Sequence, residues 1–188
     1  YVQKSLYDNV VADLVSQTKS IKQGNGLADE TTMGPLVSAQ QQKRVKTYID
    51  KGIEEGAEVL AGGNIPFDQG YFVEPTIFAD VDHSMTIARE EIFGPVVAAM
   101  PFDDLDDLIA KANDTAYGLA AGVWTQDLKK AHYIAHGIKA GTVWVNCYNV
   151  FDAASPFGGY KQSGIGREMG SYALDNYTEV KSVWINME

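Results

Sequence analysis

Apolar residues recur at helical spacing near the start of the chain. Leu6, Val10, Leu14, Val15, Thr18 and Ile21 fall on one face of a segment from Ser5 to Ile21, with Ser5 as its expected cap. Residues 22–36 hold Gly24, Gly26, Gly34 and Pro35 and read as a loop. Ser38 then opens a second helix, with Gln41 at the capping-box position and Val45, Tyr48, Ile49 and Ile53 as its buried stripe. Gly56 ends it. Residues 57–61 form a short strand, and residues 71–79 a longer one with Pro75 at an edge or bulge. Residues 85–90 make one or two helical turns.

From Val96 the alternation is regular. Strands are expected at 96–102, 119–125 and 142–146, with helices at 105–113 and from Asp127 to about Gly137. Strand–helix–strand order implies right-handed crossovers and a mainly parallel sheet covered on both faces, a three-layer α/β/α arrangement. Residues 147–166 are rich in glycine and aromatics and too long for a mere connection. A short helix around 168–176 follows. Residues 178–186 alternate as a half-buried strand does, and a strand so placed needs a partner sheet, which another chain can supply.

Composition narrows the functional classes. The net charge of -10 leaves no basic stripe for nucleic acid, and no apolar run reaches the ~20 residues of a membrane span. The single cysteine, Cys147, excludes an internal disulfide framework and fits a reducing, cytoplasmic setting. There is no secretory leader pattern, and a start at Tyr1 without Met suggests a fragment or processed product. No His and carboxylate set has metal-site spacing, and no G-x-G-x-x-G opens a strand–helix unit.

Three features carry candidate chemistry. In Glu90-Glu91-Ile92-Phe93-Gly94-Pro95, Gly94 can adopt backbone angles closed to other residues and Pro95 cannot donate a ladder hydrogen bond, so a sharp turn is expected. A turn there would hold Glu91 and Phe93 at a sheet's mouth, a pairing suited to a ligand with a diol and a flat ring. By themselves these residues are better explained as a solvated Glu pair closing a short helix, with Phe93 in the core. Cys147 reads as a structural or pocket-lining thiol; a thiol hydrolase built on it is the alternative. Phe151 and Phe157 sit in the irregular loop among small residues and must pack in a core or a pocket.

Four stretches together resemble the NAD(P)-dependent aldehyde dehydrogenases: EEIFGP (90–95), TAYGLAAGVWT (115–125), AGTVWVN (140–146) and SPFGGYKQSGIGRE (155–168). The order and spacing are also similar to that family's, over essentially the whole chain, which looks like its C-terminal part. The resemblance implies a partial catalytic domain over 1–162 and a C-terminal helix and oligomerisation strand over 163–188. It implies oxidation of an aldehyde to a carboxylate with NAD or NADP, through a Cys thiohemiacetal and a thioester. It assigns Glu91 and Phe93 to the cofactor, and Asn149, Val150, Phe151 and Phe157 to the aldehyde. Glu168, expected at a helix start, would relay protons. In the family the nucleophilic Cys lies shortly before the segment that Tyr1-Val2-Gln3 resembles, so the isolated chain is expected to be inactive. The final strand is expected to build homodimers or homotetramers. A non-catalytic assembly module is the remaining alternative.

Overall fold

Helix α2 (Ala39–Glu54) forms as its sequence dictates. Ser38 caps it, accepting the Gln41 N–H at 3.2 Å, and Val45 and Ile49 are fully buried on its inner face. Ile53, expected on the same stripe, is half exposed, because the helix ends one residue later and its last turn overhangs the core. The computed structural model describes residues 1–188. It divides into two compact units, 1–111 and 112–188.

The first unit begins with a strand that the periodicity did not predict. This is β1 (Val2–Gln3), which pairs in parallel with β5 (Pro101–Phe102). Two residues are too few to carry a pattern. A single 3-10 turn over Lys4–Leu6 precedes α1 (Tyr7–Ser20), so Ser5 lies inside that turn and caps nothing. Val11 is the one fully buried residue of α1, and Leu6 is half exposed. Tyr7 donates its phenol to the Ala99 carbonyl at 3.0 Å, and α1 packs on Ala79 and Ala99.

The main sheet of this unit orders β2 (Glu58–Ala61), β3 (Thr76–Ala79) and β4 (Val96–Ala98), with β2 antiparallel and β4 parallel to β3. Pro75 stands just before β3, outside the ladder, where its missing N–H breaks no pairing. Residues 71–75 are not strand, so the expected strand shortens to its four buried C-terminal residues. All of Val45, Ile49, Val73, Phe78, Ile87, Ile92 and Met100 meet in one core.

The expectation of one covered sheet is corrected here. The run 96–102 is not a single strand: β4 pairs with β3, Ala99 and Met100 belong to neither ladder's strands, and β5 joins β1 in a separate sheet. Pro101 contributes no N–H to either ladder. Three of the four ladders are parallel, so the parallel bias stands.

Short helix α3 (Thr86–Arg89) leads into residues 90–95. The Glu55 carboxylate accepts both the Thr86 N–H and its hydroxyl, each at 2.7 Å. Those hydrogen bonds lower its pKa below the usual carboxylate value, so this cap is present near neutral pH and lost on strong acidification.

Helix α4 (Leu105–Asn113) crosses the division between the units. The second unit then holds β6 (Ala120–Val123), α5 (Leu128–Gly137) and β7 (Thr142–Val145). β6 and β7 are parallel, and α5 is capped by Asp127, whose carboxylate accepts the N–H groups of Lys129 and Lys130. Asn146 closes β7, exchanging both amide hydrogen bonds of its side chain with Thr125 at 2.9 Å.

The expected helix at 168–176 is shifted. Helix begins at Ser171, not Glu168, and is a 3-10 run to Asn176. Residues 178–188 pair with no strand of this chain, and Val180, Val183, Trp184, Ile185 and Met187 are exposed. An alternating pattern cannot form a ladder without a second strand beside it.

Candidate functional site

In the first unit, α2 pins the Glu90–Pro95 corner with a row of polar side chains. Gln41 donates through Nε2 to the carbonyls of Ile92 (3.3 Å) and Phe93 (2.8 Å). One turn on, Arg44 donates to the Glu91 carbonyl at 2.9 Å. A further turn on, the Tyr48 phenol donates to the Glu90 carboxylate at 2.8 Å. Spacings of three and four put all three donors on one helix face. Gln41 therefore leaves the capping box, where only its backbone N–H is used.

The corner is bent at an unexpected residue. Phe93, not Gly94, has the positive φ, at 54°. Left-handed backbone at a bulky residue costs roughly 1–2 kcal/mol, and the Gln41 bond to the Phe93 carbonyl helps to hold it. Gly94 serves a different need. A Cβ there would lie 2.5 Å from a Val45 methyl, so only glycine lets the corner close on α2. Ile92 is the corner's core residue and is 9% exposed, whereas Phe93 is 74% exposed. That corrects the view of Phe93 as core. Glu91 is exposed as well, so a carboxylate and an aromatic ring stand open two residues apart on a fixed backbone.

Electrostatics favour the same geometry. Glu90 raises the Tyr48 pKa above its ordinary 10.0, chiefly through their hydrogen bond, so the phenol stays a donor throughout the neutral range. The Arg44 guanidinium lies 5.6 Å over the Tyr48 ring.

The second unit carries an aromatic chain. Trp144, buried on β7, meets Tyr148 edge-on at 5.1 Å and Phe151 at 5.6 Å, and Phe151 meets Phe157 at 5.2 Å. The Trp144 indole donates to the Val150 carbonyl at 2.9 Å, which ties the loop to the strand. Asn149, beside Val150, has a positive φ of 58°, a region asparagine tolerates better than most residues. Both are exposed, as is one face of Phe151, while Phe157 is half-buried.

The other predicted residues fare differently. Glu168 exchanges both backbone hydrogen bonds with Phe157 at 2.7 Å, in an isolated antiparallel bridge. Glu168 therefore does not stand at the expected helix start. Its side chain is exposed, and its backbone anchors Phe157. Cys147 is exposed, not buried as a structural thiol would be. It sits between Asn146 and Tyr148, where the chain leaves β7.

Gln41, Arg44 and Tyr48 were not singled out as site residues from sequence. Their signal was there, as polar or half-polar side chains at positions 41, 44 and 48 of an otherwise apolar stripe. Without the corner's position Gln41 reads as a capping residue, Tyr48 as part of the buried stripe and Arg44 as a surface residue.

The sequence pattern of the aldehyde dehydrogenase family matches residues 1–183, and the chain belongs to that family. DhaS of Bacillus subtilis (strain 168) is 62% identical over all of this chain, which spans 38% of that protein. The betaine aldehyde dehydrogenase of Brucella melitensis is 50% identical over the whole chain, which spans 39% of its length. Among solved structures, the NAD+ complex of an aldehyde dehydrogenase from Bacillus cereus superposes with a TM-score of 0.95 at 59% identity, over 100% of this chain and 38% of that one. Betaine aldehyde dehydrogenase from Staphylococcus aureus in complex with NAD+ gives 0.89 at 42%, over 94% and 36%. The chain thus spans about two fifths of the relatives it matches.

Proposed function

We propose that this chain is the C-terminal part of an NAD(P)-dependent aldehyde dehydrogenase, and that the Glu90–Pro95 corner receives the nicotinamide-side ribose. The observation that carries this is the corner itself: an exposed carboxylate and an exposed ring on a backbone held by Gln41, Arg44 and Tyr48. A carboxylate can accept from both hydroxyls of a vicinal diol, so Glu91 fits the ribose. Phe93 offers an apolar face to the ribose and nicotinamide. Bound NAD or NADP supplies the electron acceptor for aldehyde oxidation. In the second unit, Phe151 and Phe157, with Asn149 and Val150, present apolar and small polar surface for the aldehyde's hydrocarbon end. Glu168 is assigned a proton relay.

On this reading the nucleophilic Cys and the hydrolytic base lie on a segment before Tyr1, in a cytoplasmic enzyme. Residues 1–162 are its partial catalytic domain. The purified 188-residue chain should form no NADH from NAD and an aliphatic aldehyde, as monitored by absorbance. NADH formation abolished by Cys147→Ser would instead make Cys147 a nucleophile and overturn the assignment.

Residues 163–188 are assigned to assembly, and the partner is a second copy of the enzyme. The exposed apolar side chains from Val180 to Met187 support this, since an unpaired edge of that character invites strand pairing. Twofold closure is the commonest symmetry, so a homodimer or a homotetramer built from dimers is expected. Truncating the full-length enzyme before Thr178 should shift it to smaller species in light scattering after size exclusion. An unchanged mass would assign the tail to its own subunit.

A further inference from the structure

The backbone on both sides of Glu91 is held by neighbours. Upstream, the Glu90 N–H donates to the Thr86 carbonyl at 3.0 Å. The Glu90 carboxylate accepts the Tyr48 phenol, and the Glu91 carbonyl accepts Arg44. Glu90 itself is extended, with φ -110° and ψ 152°. In extended chain, successive side chains project to opposite sides. Drawing the Glu90 side chain onto α2 therefore commits the next carboxylate to the side away from that helix.

Resting on the cofactor reading above, we propose that Tyr48 is a positioning residue for Glu91, acting through Glu90. The phenol holds the Glu90 side chain against α2, at 2.8 Å, while Arg44 braces the ring from above at 5.6 Å. Released from Tyr48, the Glu90 carboxylate leaves α2 and repels the adjacent Glu91 carboxylate, which shifts from its ligand-facing rotamer. Tyr48 thus sets how the Glu91 carboxylate faces the ligand. It touches neither substrate nor cofactor in this account.

Tyr48→Phe in the full-length enzyme keeps the ring under Arg44 and removes the hydroxyl that donates to Glu90 and also lies within reach of the Arg44 guanidinium. Single-turnover NADH formation at saturating NAD should slow about fivefold, the scale of one ordinary net hydrogen bond. The NAD dissociation constant and the thermal midpoint should stay close to wild type, which separates positioning from a structural loss. In a Glu91→Gln background, Tyr48→Phe should slow the step no further, since there is then no carboxylate at 91 to orient. A loss that multiplies onto Glu91→Gln overturns the proposal. So does an unchanged rate in Tyr48→Phe when Glu91→Gln is slow, and in that case the cofactor reading survives. If Glu91→Gln itself leaves the rate intact, the cofactor reading fails and takes this inference with it.

Discussion

Replacing Gly141 by alanine is expected to destabilise the chain by about 3 kcal/mol or more, the upper range of overpacking in a tightly packed site. A Cβ on Gly141 would lie 1.6 Å from the Gly158 carbonyl oxygen and 2.8 Å from its carbon. The obstacle is backbone, so no side-chain rotation relieves it. The backbone around it is also tied. Gly118 offers one carbonyl to the N–H groups of both Gly141 (3.0 Å) and Tyr160 (2.8 Å), and its own N–H donates to the Ser163 hydroxyl at 2.9 Å. Lys161 adds bonds to the carbonyls of Asn113 (2.8 Å) and Thr115 (3.1 Å). Moving Gly158 aside therefore breaks this knot and displaces Phe157, its neighbour in the aromatic chain. Equilibrium urea unfolding followed by tryptophan emission measures the loss. Gly26→Ala is the control, since a Cβ there meets nothing within 4 Å, and it should change stability by less than about 0.5 kcal/mol. A Gly141→Ala protein as stable as that control would show that the 155–163 loop does not close on β7 as described.

Gly141 also illustrates where the sequence stops being legible. AGTVWVN announces a strand, and β7 is there, but nothing in those letters says that Gly158 arrives against Gly141, the residue just before it. The same holds at Gly94. Its sequence suggests a residue chosen for unusual backbone angles, yet the strain falls on Phe93, and glycine is needed because Val45 is in the way. Local chemistry was readable where the partner is local: Ser38 caps α2, Asp127 caps α5, and Val45 and Ile49 are core. It failed where the partner is distant. The run 96–102 splits because two different strands, β3 and β1, claim its halves. Glu168 takes strand-like bonds from Phe157, eleven residues back, in place of a helix. Glu91 and Phe93 were legible as candidates from motif alone, whereas the Gln41, Arg44 and Tyr48 row that holds them became visible only once α2 lay beside the corner.

The largest expected effect on chemistry belongs to Glu91. If its carboxylate orients the ribose, it sets the nicotinamide's angle to the aldehyde without supplying most of the binding. An amide at 91 keeps one acceptor oxygen but puts a donor where the second hydroxyl must be received. Orientation lost at the reacting centre slows the step far more than it weakens binding. The most direct measurement is single-turnover NADH formation by Glu91→Gln in the full-length enzyme, at saturating NAD and aldehyde. The rate should fall on the order of tenfold or more, with the NAD dissociation constant little changed. An unchanged rate would leave Glu91 a surface acid and contradict the assignment of the corner to the cofactor.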